Sequence, residues 1–590
     1  MNTTLCALFQ ETAAARPDKV ALRTLDGSST LTWAEYGARV RRVAAGLAAL
    51  GVGRGDTVGL MLVNRPEFHV VDAAALHVGA TPFSGYNTNT VDMIRHLLDN
   101  AGNRVVVCEE QFLNRILEAI PSSKVEHVIC VDGAPEGTMS LSALEELGAS
   151  DEDFDFDATW RAVEPDDVAT LIYTSGTTGP PKGVELTHAN LRYSLDAARQ
   201  LMPQSEDTRL ISYLPDAHAL NRYLAHYFPM ASGAEVTTVA NSKELLEALT
   251  TVRPTIFVSV PMLWYKLKAS IDTGLASQSG PRKVLAEWAL ARGQRAARAQ
   301  LAHRRLSPLH ALQYAVARRL VLDKVAAKLG LDRCTFAVTG AAPIAPEAME
   351  FVLSLGIPLC EAWGMSELTA VATLNRHDNI RLGTVGQVLD GQEIKVADDG
   401  ELLVRGPNVM KGYRGEPART AEAVIDGWMH TGDVGTIDED GFVRIIDRKK
   451  ELIINSAGKN MSPSHIENTV KMACPLLGSV VAIGDDRPFV AALLTLDAEA
   501  VEAFTTSQGL TVDGIAEMAE HPAVLEAVAA GIAAANDKLA RVEQVREYVV
   551  LPVVWEPAGD ELTPTMKLRR KPIHKKYADA IDTMYAEATR

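Results

Sequence analysis

The chain has 590 residues, 47% of them apolar and 23% charged, which is enough for several domains and excludes a small disulfide-stapled scaffold, a disordered chain and a fibre. Lys plus Arg number 58 against 75 Asp plus Glu, and a net charge of -17 argues against a general nucleic-acid coat protein while leaving room for a local basic patch. Six cysteines without a Cys-x-x-Cys pair or a zinc-spaced Cys/His cluster, no secretory pattern in the first 17 residues and no 18-residue uncharged apolar run make a reducing, cytosolic setting the default.

The first 110 residues alternate helical and strand patterns in the manner of a parallel α/β sheet. Thr32 and Glu35 form a capping-box signature, followed at helical spacing by Val40, Val43, Ala44, Leu47 and Leu50 until Gly51. A strand is expected over 57–63, a helix from Pro66 to about Val78, another over 91–100, and a short strand over 105–108. Residues 133–165 are acidic and broken by Gly and Pro, and read as a solvated linker or loop.

From Arg282 to Arg333 the balance reverses to twelve Lys or Arg against Glu287, Asp323 and Asp332. This stretch lies in an insert of about 264–333, rich in Ala and Leu, that should be mostly helical. Two readings stay open for it: a solvated helical hairpin, or contact with an anionic partner, either lipid headgroups or cofactor phosphates. Further on, Asp438 to Gly441 marks a hairpin turn, and the polar run Asp447 to Glu451 places a hinge near Lys450.

Between Thr174 and Gly183 fall four aliphatic hydroxyls, three glycines and Lys182, preceded by an apolar strand pattern over 168–172. Glycines let backbone N–H groups approach an anion, hydroxyls add donors and the lysine adds a mobile charge, so the turn suits a polyphosphate. No Ser or Thr follows Lys182, which disfavours a Walker A loop.

The turn Tyr173-Thr-Ser-Gly-Thr-Thr-Gly-Pro-Pro-Lys-Gly183 resembles the phosphate loop of the adenylate-forming superfamily, and further motifs in family order extend the resemblance over about 31–577. The resemblance implies an α/β fold: a large N-terminal domain of stacked α/β sheets with a small β subdomain, about 1–448, and a mobile α+β lid, about 449–590. It also implies that a carboxylate attacks the α-phosphate of ATP, giving acyl-AMP and pyrophosphate, before a thiol displaces AMP.

Residue by residue, the resemblance assigns Thr174, Ser175, Gly176, Thr177, Thr178 and Lys182 to the nucleotide phosphates. Glu361-Ala362-Trp363-Gly364-Met365-Ser366-Glu367 resembles the aromatic-Gly-x-Thr-Glu motif, with Glu367 and Thr178 as magnesium ligands and Trp363 as a flat face for adenine. Gly340, Ala341 and Ala342 match the turn on the other side of the base. Asp433 matches the ribose-binding carboxylate, Ile445 and Arg448 reach the nucleotide, Lys450 is the pivot, and Gly458 lines the thiol tunnel. Lys567, in Leu562-Thr-Pro-Thr-Met-Lys567, neutralises charge between carboxylate and phosphate. His218, in Leu-Pro-x-x-His, gates or orients the acid, although Asp216 stands where many relatives are apolar.

The stretch 258–266 and the helical insert resemble the long-chain fatty acyl-CoA ligase branch. The implied activity is a fatty acyl-CoA ligase using ATP, Mg2+ and coenzyme A, cytoplasmic, with peripheral contact at an anionic inner membrane face through 282–333 as a further expectation. The rivals are a fatty acyl-AMP ligase serving a carrier protein and a catalytically silent nucleotide sensor. Lys567 and Glu367 argue against the sensor.

Overall fold

Three parallel strands, Thr57–Met61, Thr81–Ser84 and Val105–Cys108, are buried along their whole length, as strands inside a parallel sheet are, and Val105–Cys108 accordingly reads as an unbroken apolar run. They lie inside an eight-stranded sheet whose order places Gly412–Tyr413, Lys182–Thr187 and Val168–Thr174 at one side and His127–Cys130 and Met139–Ser140 at the other. The computed structural model describes residues 3–587 apart from 175–179, 204, 277, 457, 511, 513, 557–558 and 564–565.

A second sheet pairs Ile256–Ser259, Phe336–Thr339 and Leu359–Trp363 in parallel and ends in two short antiparallel strands. A third runs Arg209–Ser212, Glu235–Thr238, Val20–Thr24, Thr30–Thr32. Beyond them the chain builds a small antiparallel subdomain around Trp428–Ile437, which receives Val443–Arg448 through the expected Asp-Gly turn, with Gly441 at φ +82°. The Thr32–Glu35 capping box is present and opens the helix Trp33–Ala49.

Two apolar cores fill the large domain, the main one with members from Leu5 to Val443 and a second from Met61 to Tyr173, and two further cores with members from Ile453 to Tyr585 pack on the two faces of the lid sheet, Leu477–Ile483, Val490–Leu496 and Val545–Leu551. The expected architecture of a large N-terminal and a smaller C-terminal α/β domain is what the chain adopts. All six cysteines are buried and unpaired.

Residues 133–165 correct the loop expectation. They form the helices Leu141–Ala149 and Phe156–Arg161, capped by Ser140 and Asp155. Acidity there is the mark of ion pairs: Glu145 receives both Arg39 and Arg42 from the helix Trp33–Ala49. The two helices approach so closely that a Cβ on Gly148 would lie 2.0 Å from the Arg42 carbonyl oxygen.

The basic insert is helical as expected, with Gly280–Leu301, Pro308–Ala317 and Asp323–Lys328, the last two joined by a π turn at Arg318–Leu322. Ala286, Ala289, Gly293 and Ala297 form its buried stripe, at a spacing of one helical face. Small residues let Gly280–Leu301 sit close to the segment around Ser354: a Cβ on Gly293 would stand 2.2 Å from the Ser354 carbonyl oxygen. Gly293→Leu should therefore lower stability by about 1–3 kcal/mol through overpacking, and chemical unfolding of wild type and variant measures it; an unchanged midpoint would refute this seating of the insert.

Candidate active site

The carboxyl ends of strands from both large sheets converge with the antiparallel subdomain and the lid. Val168–Thr174 and Lys182–Thr187 pair as far as Thr174 and Lys182, so the two flanks of the hydroxyl-rich turn are held together. Ser175, Gly176, Thr177 and Thr178 lie outside the described residues.

Lys182 places its ammonium 4.6 Å from the Tyr413 ring centroid, and the Tyr413 hydroxyl donates to Glu367 Oε1 at 2.9 Å. The turn's lysine and the motif carboxylate are thereby linked through a residue the sequence reading did not select. Burial first, and Glu367 second, raise the Tyr413 phenol above its usual range, so it stays a proton donor. Tyr413 arrives by antiparallel pairing of Gly412–Tyr413 with Lys182–Thr187, a long-range contact that no local pattern announces.

Glu367 is buried in the short turn Ser366–Leu368 that follows Trp363, Gly364 and Met365. Gly364 is required there, because a Cβ would meet the Ala370 carbonyl oxygen at 2.2 Å. Opposite, Gly340 lets its turn approach the Ala362 carbonyl, 3.2 Å from where a Cβ would be, while Ala341 sits at φ +67°. Holding this turn is Glu361, whose Oε1 accepts from the Ile344 N–H at 3.4 Å. Burial pushes the Glu361 carboxyl up to about 8, so at neutral pH it is a protonated support for the turn at 340–344.

Asp433 is buried and shared. Trp363 Nε1 donates to its Oδ2 at 2.8 Å, and Arg448 Nε to its Oδ1 at 2.7 Å. Burial raises its pKa, opposed by Arg448 and the indole N–H. Ile445 is half-buried on the same strand as Arg448 and packs on the edge of the main core.

Lys567 is carried by a lid turn closed by the Thr563 N–H to the Lys567 carbonyl at 2.8 Å. Its residue surface is open to solvent within the cleft, yet protein from both domains surrounds it, and desolvation is the largest influence lowering its pKa, followed by Arg448. Asp433, Glu451 and Glu367 pull in the other direction. The lid is seated by Asn468 Nδ2 donating to the Pro343 carbonyl at 3.2 Å and by Lys266 pairing with Asp497 at 3.0 Å. Across the joint, the buried Asp447 carboxylate accepts from Ser462 Oγ at 2.6 Å and the Ser464 N–H at 3.0 Å.

His218 caps a short helix, its Nδ1 accepting from the Leu220 N–H at 3.2 Å. Burial, then Lys567, lower its pKa to about 4, so it is a neutral imidazole near pH 7. Behind it the buried Arg222 pairs with Asp72 and donates to Ser84 Oγ, Tyr227 and the Asp216 carbonyl, fixing the π-helical segment Arg222–Tyr227. Asp216 is itself buried, held by Asn221, with its pKa raised by desolvation.

The structure thus gathers Lys182, Trp363, Glu367, Asp433, Arg448, His218 and Lys567 around one cleft. Gly458 is not among them: it lies on an exposed lid turn at φ +73°, with open space where a Cβ would go, and Lys450 is exposed beside the joint. Because Glu361 is neutral when folded and ionised when unfolded near pH 7, folding there is opposed increasingly from its ordinary carboxylate range up to about pH 8. Glu361→Gln should accordingly raise the melting temperature at pH 7 by more than at pH 5; an equal increment at both would refute a buried neutral acid.

The AMP-binding enzyme model matches residues 9–414, and the AMP-binding enzyme C-terminal domain model matches 450–589. The relative fadD11 of Mycobacterium tuberculosis is 48% identical over 456 residues, 77% of this chain and 80% of that one. The long-chain-fatty-acid–CoA ligase FadD15 of the same organism is 35% identical over 581 residues, covering 96% and 95%. Among solved structures, the anthranilate CoA ligase AuaEII with anthranoyl-AMP superposes with a TM-score of 0.74 at 17% identity over 100% and 98% of the two chains, which bears on fold alone. This chain belongs to the AMP-binding enzyme family.

Proposed function

We propose that the protein is a magnesium- and ATP-dependent fatty acyl-CoA ligase, cytoplasmic, working through an acyl-AMP intermediate. The observation that carries this reading is the meeting of Lys567 from the lid with Asp433 and Glu367 from the large domain in one cleft. The long-chain-fatty-acid–CoA ligase FadD15 supports the choice of acid and acceptor. The domain boundary is proposed at 448/449, between the last main-core residue, Val443, and the first lid-core residue, Ile453.

In this reading a substrate carboxylate oxygen attacks the α-phosphorus of ATP and the bond to pyrophosphate breaks; the coenzyme A sulfur then attacks the acyl carbon and AMP leaves. The chain's own task is to bring anions together and hold charge. Lys567 faces the transferring phosphoryl group, with Lys182 and the turn at 174–179, including Ser175, Gly176, Thr177 and Thr178, on the phosphates. Trp363 and the turn Gly340-Ala341-Ala342 flank the adenine, Asp433 takes the ribose hydroxyls, and Ile445 and Arg448 close that side. His218, held neutral, orients the acid and does not carry its proton away. Lys450 is the pivot about which the lid moves Gly458 toward the thiol path.

Magnesium, when bound, draws charge from phosphate oxygens. Glu367 fits it: its Oε1 is fixed by Tyr413, its other oxygen has no hydrogen-bond partner among the described residues, and one carboxylate beside substrate phosphates is an ordinary magnesium environment. Thr178 would add a hydroxyl. No group of three or more His, Cys, Asp or Glu able to hold a metal occurs among the described residues, which leaves the remaining coordination to nucleotide oxygens and water.

Acid-dependent AMP release, measured with and without coenzyme A over acids from short to long chains, tests the reading. Stimulation by coenzyme A with thioester formation is expected, and release that ignores coenzyme A would overturn it. Lys567→Ala should slow acyl-AMP formation by about a hundredfold or more while leaving thioester formation from supplied acyl-AMP comparatively intact. Because its pKa in the ligand-free cleft lies below the ordinary 10.5, kcat/KM for the wild-type adenylating step, which reports the free enzyme, should decline with rising pH before that value as the ammonium is lost. Equal loss in both half-reactions would remove Lys567 from the phosphoryl site. Tyr413→Phe, which frees Glu367 to swing, should raise the magnesium needed for half-maximal activity by about tenfold; a magnesium titration with unchanged midpoint would refute the Tyr413–Glu367 coupling.

A further inference from the structure

Lys266 stands on the helix Pro261–Ala276 among anchored neighbours. Trp264 and Leu267 are buried in the main core, and the Tyr265 hydroxyl accepts from the Ala345 N–H at 2.9 Å, beside the turn at 340–344. The helix is thus fixed to the large domain, but the Lys266 ammonium reaches out of it, to 3.0 Å from Asp497 Oδ2 and 3.5 Å from Glu499 Oε2 in the lid. Among the described residues these are the ion pairs that tie the large domain to the chain beyond the joint at 447–451.

Asp497 divides its oxygens between two tasks. Oδ1 accepts from the Ala500 N–H at 3.1 Å and caps the lid helix Ala498–Ser507, which leaves Oδ2 for Lys266. Burial alone would lower the Lys266 pKa, and the two carboxylates more than reverse this, so the pKa is raised and the ammonium stays charged. A second lid helix, Pro463–Ala473, adds neutral contacts: Asn468 donates to the Pro343 carbonyl at 3.2 Å, and Met472, one turn on, packs against the main core. The turn at 340–345 is therefore held by Tyr265 from the large domain and by Asn468 from the lid, and the helix that supplies Tyr265 also supplies Lys266.

This lid position needs such a contact. Desolvation and Arg448 lower the Lys567 pKa in the cleft, so the charged lysine by itself disfavours the seated lid while no phosphate is bound. Lys266 is half exposed, and a pair of that kind is weak. Weakness suits a lid that must be released in each turnover, whereas a fully buried pair, costly to break, would trap it.

We propose that Lys266 is a positioning residue: its pairing with Asp497 and Glu499 selects the lid position that carries Lys567 into the cleft, and so favours acyl-AMP formation over thioester formation. Lid movement and the two half-reactions belong to the ligase reading above, on which this inference rests. Because the same helix holds the turn that flanks adenine in that reading, nucleotide binding and lid seating share one support.

The test separates the half-reactions and reads the lid directly. Lys266→Gln should slow acyl-AMP formation in a single turnover by about threefold and leave thioester formation from supplied acyl-AMP no slower. Asp497→Asn, which keeps an oxygen for the Ala500 N–H, should slow acyl-AMP formation by less, and the double variant by no more than Lys266→Gln alone. Dyes on Glu118→Cys and Glu526→Cys, exposed positions in a chain whose six native cysteines are buried, report lid position by energy transfer with ATP and magnesium and no acid. ATP should shift the transfer in the otherwise wild-type chain and shift it less with Lys266→Gln. Equal slowing of both half-reactions, additive losses in the double variant, or the same transfer with and without Lys266→Gln would overturn the proposal. An ATP-dependent shift that Lys266→Gln weakens, in a protein that forms no acyl-AMP from any acid, would sink the ligase reading and leave the lid contact standing. Acid- and coenzyme A-dependent activity identical in wild type and variants would do the opposite.

Discussion

Lys567 is open to solvent within the cleft, yet the charges that weigh on its ammonium come from both domains. Desolvation and Arg448 act against its charge, while Asp433 and Glu367 of the large domain and Glu451 beside the joint act for it. The lid position is therefore coupled to the ionic state of the cleft. Anionic phosphates placed there would favour the ammonium further, so binding and lid seating support one another. Hydrogen bonds help set the geometry: Asn468 reaches the Pro343 carbonyl, and the Asp447 carboxylate caps the lid helix Pro463–Ala473 through Ser462 and Ser464.

Much of this was legible because the chemistry leaves short-range marks. A capping box, an Asp-Gly turn, buried parallel strands and a hydroxyl-rich turn are local patterns, and each corresponds to an element or to a described flank of one. The misses share a physical cause. Glu145 reads as one more acidic residue in an acidic stretch until Arg39 and Arg42 are seen on the facing helix, and Tyr413 lies over two hundred positions from Lys182. Asp447 looks like part of a polar hinge, but it is buried and saturated with donors. Function that depends on partners far along the chain is invisible to spacing.

The buried polar group behind His218 follows the same logic with a clearer proton inventory. His226 Nε2 faces the Asp72 carboxylate at 2.9 Å and must be the protonated nitrogen there, while burial holds both His226 and His69 far below their usual pKa. His226 Nδ1 is then an acceptor, and the 3.0 Å contact requires His69 Nδ1–H to donate. That leaves His69 Nε2 as a bare acceptor, consistent with its lack of a partner. One negative and one positive side chain, Asp72 and Arg222, remain at the centre, and the surrounding neutral groups serve them. The result is a rigid support for the segment after His218 in which burial keeps both imidazoles neutral near pH 7.

Asp433 raises a sharper question, since both of its oxygens already accept hydrogen bonds and the proposed role adds two ribose hydroxyls. An ionised carboxylate offers about four lone-pair sites, and Trp363 and Arg448 take one each. Two remain, one per oxygen, which is the count a vicinal diol needs. The indole and guanidinium then do not compete with the sugar; they fix the plane of the carboxylate and, with Arg448 lowering a pKa that burial raises, favour the ionised form that can accept four donors. A phenylalanine at 363 would remove the donor to Oδ2 and leave Arg448 alone to hold the carboxylate, so in the proposed role the polar edge of the aromatic ring, more than its face, is what this position would contribute to holding the nucleoside.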